Sequence, residues 1–177
     1  MKFFTADTHF NHTNIIKYCN RPFSSIEEMN NILILNWNNK VSKEDVIYIL
    51  GDFGFGNVEP ILKQLNGTKI LIEGSHDGNN IKKYYKYFAK VSPLIEIHEQ
   101  NQTIILCHYC IRTWAKSHHN SWHLYGHSHG KLKPIGKAWD VGVDNNNFMP
   151  LSFNEIVEIM KNRPDNPNLI ENKWEQK

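Results

Sequence analysis

Six of the ten histidines in this chain stand just after apolar runs. His9 and His12 follow KFFTA, His76 follows KILIE, His108 follows TIIL, and His127 and His129 follow HLY. Carboxylates keep them company: Asp7 two residues before His9, Asp77 beside His76, and Asp52 on a turn opened by Gly51. Imidazole and carboxylate are the donors of a mixed nitrogen and oxygen site suited to Zn, Mn or Fe. Asp7-Thr8-His9 and His127-Ser128-His129 each space two donors by two residues, so both members project to one side if the extended backbone persists.

Taken singly, these features are ordinary. A D-x-H or H-x-H stretch is usually a solvated loop, a Gly-Asp pair a turn, and a histidine at a strand end a hydrogen-bonded core residue. Five separate strand ends carrying ligand-type residues in order are not ordinary, because a sheet would converge them on one place.

The elements that must do this positioning are legible in outline. KFFTA, DVIYIL (45–50) and TKILI (68–72) are short apolar runs, and the second and third lead into Gly51 and Gly74; they read as buried strands. Between the first two, SSIEEMNNILILNWNNK carries a Ser25-x-x-Glu28 capping box and apolar residues at Ile26, Met29, Leu33 and Trp37, which is helical spacing. VEPILKQLNG supplies a second, shorter helix, with Gly67 as its stop. Strand, helix, strand, helix, strand implies a largely parallel sheet with its loops gathered at the strands' C-terminal ends. In SPLIEIHEQNQTIILCHY, WHLYG and AWDVGV the pattern changes to short strands without long helices between them, which suggests a second sheet richer in antiparallel pairing. PLSFNEIVEIMKN closes as a helix capped by Ser152 and Glu155. The expected class is therefore α/β, with two packed mixed sheets flanked by helices in residues 1–162 and a polar tail with little to bury over 163–177.

Composition narrows the function. At 177 residues and 40% hydrophobic content, one domain with a sizeable core is expected. A net charge of +2 gives no field suited to a stable nucleic-acid partner, though it leaves nucleic acid open as a substrate. Three cysteines suggest a reducing compartment without a disulfide framework. The N-terminus reaches Asp7 too soon for a secretory signal, and no apolar run approaches the ~18 residues of a membrane span; a cytoplasmic protein with no membrane partner is expected.

Asp7-x-His9, Gly51-Asp52, Gly74-Ser75-His76-Asp77, His108 and Gly126-His127-Ser128-His129 resemble, in order, the five blocks of the calcineurin-like metallophosphoesterase family, in its small single-domain bacterial or phage form. The resemblance spans residues 1 to about 150. It implies an αββα sandwich and two divalent cations, Mn, Fe, Zn or Ni, with Mn expected in vitro. It places Asp7, His9, Asp52 and His129 on one metal, and a bridging Asp52, His108, His127 and the position of Ser75 on the other. Two cations about 3.5–4 Å apart would position a bridging hydroxide for in-line attack on a phosphate ester. His76 would serve as leaving-group acid, with Asp77 fixing its orientation.

One block departs from the family pattern. Ser75 stands where the family has asparagine, and a serine hydroxyl is too short to replace the amide oxygen except through water; a second site weakened but still catalytic is expected, with an impaired scaffold as the alternative. A phosphodiester is favoured over a monoester by analogy with small family members, the substrate being a small phosphate ester such as a nucleotide or cyclic nucleotide. The chain ends too soon for a nuclease-type capping domain, and it lacks the H-x-H-x-D-H run of metallo-β-lactamases. Arg21 could reach a substrate phosphate through its forked guanidinium, and His12 lies on the same segment. Cys107 and Cys110 read as a strand end rather than a zinc knuckle, His118 and His119 as a solvated loop, and Asp144-Asn145-Asn146-Asn147 as a turn cluster. The oligomeric state is open between monomer and homodimer.

Overall fold

A computed structural model describes residues 1–170. In chain order the elements are β1 (Lys2–Thr5), α1 (Thr13–Tyr18), α2 (Ile26–Lys40), β2 (Val46–Ile49), α3 (Glu59–Gln64), β3 (Thr68–Ile72), α4 (Asp77–Asn80), β4 (Lys90–Ser92), β5 (Leu94–Glu99), β6 (Gln102–Cys107), β7 (Trp122–Tyr125), β8 (Ala138–Asp140), β9 (Leu151–Ser152) and α5 (Phe153–Lys161). One sheet has the order β4-β3-β2-β1-β9, the other β5-β6-β7-β8.

In the first sheet β1 to β4 run parallel, with Phe3 opposite Ile47 and Ile47 opposite Lys69, and only β9 is antiparallel. β1, β2 and β3 each stop just before the loop that carries Asp7 and His9, Asp52, or Ser75 to Asp77. The second sheet is mixed as well and, as expected, richer in antiparallel pairing than the first, through β5–β6. Only β5–β6 is antiparallel, while β6–β7 and β7–β8 are parallel. Their crossovers are irregular loops with at most a short 3-10 turn, and that absence of helices is what made the sequence resemble hairpins.

Successive side chains of β1 point to opposite faces. Phe3 joins a core with Met29, Leu33 and Trp37 of α2, whereas Phe4 joins the core between the sheets with Leu106, Leu124 and Ile156. Burying each such side chain is worth roughly 1.5–3 kcal/mol. Ser25 caps α2 by accepting the Glu28 amide, but the Glu28 carboxylate turns to Ser24, so that capping box is only half formed. At α5 Ser152 and Glu155 form both bonds.

Residues 163–170 do not behave as a tail with little to bury. Arg163 donates to the carbonyls of Gly136 and Pro134, and Asn166 is buried, donating to Ser117 O and Ser121 O and accepting from the Lys137 amide. Polar side chains lock this segment down, which a search for apolar periodicity does not register. The remainder of the expected tail, 171–177, lies outside the described residues. Among the described residues, no helix is long and apolar enough to cross a membrane.

Candidate metal centre

The two sheets present their ligand loops at one edge. Asp7 and His9 follow β1, Asp52 follows β2, Ser75-His76-Asp77 follow β3, His108 follows β6, and His127 and His129 follow β7. Asp7, His9 and His129 bring donor atoms within 4.8 Å of one another, and so do Asp52, His108 and His127. The two groups share a centre: Asp52 Oδ2 lies 3.8 Å from His9 Nε2 and 3.5 Å from His108 Nε2.

The backbone reaches this arrangement by turning, not by staying extended. Asp7, His9, Asp52, His127 and His129 all have positive φ, between 49° and 66°, an uncommon conformation for residues with a Cβ and one that gathers at functional sites. His127 and His129 consequently go to different groups rather than forming one pincer. Gly51 supplies the remaining freedom, with φ +86° and a position where a Cβ would stand 2.4 Å from His108 Nδ1.

Hydrogen bonds fix which imidazole nitrogen is free. His108 Nδ1 lies 2.8 Å from the Leu50 carbonyl; a carbonyl only accepts, so Nδ1 carries the proton and Nε2 keeps its lone pair. His129 Nδ1 lies 2.6 Å from Asp144 Oδ2, the carboxylate–histidine arrangement that orients metal-binding imidazoles. His9 Nε2 and His108 Nε2 are buried and without a hydrogen-bond partner. Buried polar atoms are normally paired, so two buried, unpartnered ring nitrogens converging on one carboxylate oxygen fit divalent cations.

Burial is the largest electrostatic influence on Asp7, His9, Asp52 and His108. Burial, then the neighbouring Asp140, push the Asp7 carboxyl well above its ordinary value. Burial also pushes His9 down to about 3 and lowers His108, keeping both neutral and able to ligate. For Asp52 burial acts upward, but His108, the His76 amide and His9 outweigh it and hold the carboxyl below its usual range.

Several expected roles change. Arg21 is buried, its Nε and Nη2 forked on the Asp144 carboxylate at 2.7 and 2.8 Å, with Nη1 and Nη2 also donating to the carbonyls of Thr8 and Asp7. All its directional capacity is spent inside the protein, so it clamps the first ligand loop and does not face substrate. Asp77 does not orient His76. Its carboxylate accepts the amides of Asp52, Phe53 and Gly74 at 2.8–2.9 Å, tying the second loop to the third.

His76 is half exposed at the site's mouth, with Nε2 4.0 Å from Asp52 Oδ2. His12 lies beside it, Nδ1 to Nδ1 3.5 Å from His9 and its ring 4.4 Å from that of Phe55. Ser75 Oγ donates to Asp52 at 3.0 and 3.2 Å. Cys107 and Cys110 are free thiols, and neither they nor His118 and His119 enter the two groups.

Two acids were missed. Asp144, read as part of a turn cluster, links His129 to Arg21. Asp140 accepts Ser128 Oγ and the amides of Gly130 and Gly142, and so shapes the His127–His129 loop. Asp140 ends the apolar run AWD as Asp7 ends KFFTA, and that repetition was the available signal.

No family model matches the chain. An uncharacterized protein of Methanocaldococcus jannaschii is 35% identical over 169 residues, covering 88% of this chain and 89% of its own. A protein of unknown function from Aquifex aeolicus superposes with a TM-score of 0.73 at 26% identity, over 90% of this chain and 98% of its own. A phosphoesterase from E. coli is more distant, with a TM-score of 0.41 at 16% identity over 80% of this chain and 77% of its own. Two mixed sheets flanked by helices, with donor residues after five strands, are the arrangement that the resemblance to small calcineurin-like metallophosphoesterases implies. The chain belongs to one family with its archaeal relative.

Proposed function

We propose that the protein is a hydrolase of phosphate esters working with two divalent cations, Mn among them, and that its substrate is a small phosphodiester of the nucleotide or cyclic-nucleotide kind. The observation that carries this reading is the pair of unpartnered Nε2 atoms of His9 and His108 directed at the one oxygen of Asp52. Asp7, His9 and His129 would hold one cation and His108 and His127 the other, with Asp52 between them. When bound, such cations neutralise phosphoryl charge and make water nucleophilic at neutral pH.

The chain's own residues do the rest. Asp144 keeps the proton of His129 on Nδ1. Leu50 O does the same for His108, and the Asp77 clamp holds Asp52 at the meeting point. His76, half exposed at the mouth, holds a proton at Nε2 for the departing alcohol oxygen. Ser75 spends its hydroxyl on Asp52, and it offers the second cation less than an asparagine amide oxygen would.

Hydrolysis of bis(p-nitrophenyl) phosphate with added Mn tests the reading. Turnover is expected in the natural chain, higher in Ser75→Asn and abolished in Asp52→Ala. Equal turnover in the natural chain and Asp52→Ala would refute it.

A further inference from the structure

Two of the candidate ligand histidines have an oxygen acceptor behind the ring, Leu50 O for His108 and Asp144 for His129. A ligating imidazole carries its proton on the nitrogen away from the metal, and the bond that this N–H donates fixes the ring. His9 has no such oxygen among the described residues. Its Nδ1 has one hydrogen-bond partner there, the Nδ1 of His12 at 3.5 Å.

Two facing imidazole nitrogens cannot both donate. His9 Nε2 is buried, unpartnered and 3.8 Å from Asp52 Oδ2. With a cation held there, that nitrogen offers its lone pair and Nδ1 keeps the proton. His12 must then accept at Nδ1 and carry its own proton on Nε2.

The chain is shaped for this meeting. The His12 amide donates to His9 O at 3.0 Å, closing a turn in which His9 and Asn11 have φ of 50° and 64°. Asn11 pins the turn, exchanging hydrogen bonds with Asn30 and donating to Phe55 O. The Phe55 ring then packs 4.4 Å from that of His12 and 6.0 Å from that of His9. His12 also occupies the N-cap of α1, where Ser, Thr, Asp or Asn would bond the helix amides. Its side chain makes no capping bond and meets His9 instead.

Resting on the two-cation reading above, we infer that His12 is the positioning residue of His9, accepting its Nδ1 proton and so aiming Nε2 at the first cation. The task lies behind a ligand and not on the substrate.

Long-range proton–nitrogen NMR of the natural chain loaded with Zn, a diamagnetic cation, reads the tautomers directly. His9 is expected to coordinate through Nε2 with its proton on Nδ1, and His12 to carry its proton on Nε2. A coordinated His9 beside a His12 protonated on Nδ1 would overturn this inference alone. A His9 resonance unmoved by Zn would overturn the metal reading and the inference with it.

Two substitutions separate positioning from packing. His12→Phe keeps a ring against Phe55 and removes the acceptor, while His12→Asn gives up the ring and sets an amide oxygen near the place of Nδ1. By calorimetry, His12→Phe is expected to weaken Mn binding about tenfold, the low end for losing a partner behind a ligating histidine, because 3.5 Å is long for a hydrogen bond. His12→Asn is expected to restore most of that affinity, and a thermal melt of each variant verifies that it is folded. Natural affinity in His12→Phe, or equal losses in the two, would assign His12 to packing and overturn the inference.

Discussion

Arg21 and Asp144 lie 123 residues apart and meet in a two-pronged ion pair at 2.7 and 2.8 Å. Asp144 Oδ2 also meets His129 Nδ1 at 2.6 Å. One buried carboxylate therefore serves two tasks, fixing the ring of a candidate ligand and neutralising the arginine that clamps Asp7 and Thr8. Burial acts to raise its pKa, but His129 and Arg21 hold Asp144 below its usual range.

Asp144→Asn keeps the shape of the side chain and removes its charge. Affinity for Mn is expected to fall roughly 10- to 100-fold, the usual effect of losing a partner behind a ligating histidine. A metal titration followed by calorimetry checks it; unchanged affinity would show that His129 does not depend on Asp144.

Breaking the pair from the other side is a stability experiment. Arg21→Met leaves the Asp144 charge buried and without its arginine, and should cost about 3–5 kcal/mol by urea denaturation. Arg21→Lys is expected to recover only part of this, since an ammonium cannot reproduce the fork. If Arg21 instead faced substrate, both variants would keep full stability and lose only activity.

Asp77 and His76 should separate in the same way. Asp77→Asn replaces an acceptor of three amides with a group that donates on one side, and a loss of about 1–3 kcal/mol is expected. His76→Ala, at a half-exposed side chain, should leave the unfolding free energy from urea titration within about 0.5 kcal/mol of the natural chain while turnover falls. Equal stability losses in the two variants would contradict the distinct roles given to these neighbours.

His123 sets a pH dependence away from the metal centre. Its Nδ1–H donates to Ile105 O and its Nε2 accepts the Ile111 amide, so the buried ring is neutral, and burial lowers its pKa to about 4. Above about pH 6.5 the ring is neutral in both folded and unfolded chains. As pH falls from about 6.5 toward 4 the unfolded chain takes up a proton that the folded one refuses, and stability drops by on the order of 3 kcal/mol. Urea midpoints between pH 7 and 4 should fall less steeply for His123→Gln, which keeps a donor and an acceptor; parallel curves would remove His123 as a cause.

The first sheet was readable because its strands are uninterrupted apolar runs such as VIYI, and α2 because Met29, Leu33 and Trp37 repeat at helical spacing. The six candidate ligands were readable because each is a donor at the end of such a run. The direction of β7 and β8 was not, since short strands joined by irregular loops look alike whether they pair parallel or antiparallel. The roles of Arg21, Asp77 and Asp144 were hidden for a different reason. A buried charged side chain is defined by its partner, and the partners of Arg21 and Asp144 are set by tertiary folding across most of the chain. The left-handed ligands were equally silent, because nothing local makes histidine favour positive φ.

The sharpest measurement is metal content per chain after loading with Mn and removing the excess, by inductively coupled plasma mass spectrometry. With Asp52 between two ligand groups, the natural chain should retain two cations, or more than one given Ser75, and Asp52→Ala fewer than one. Less than one cation in the natural chain, or equal occupancy in the two proteins, would contradict a centre built around Asp52.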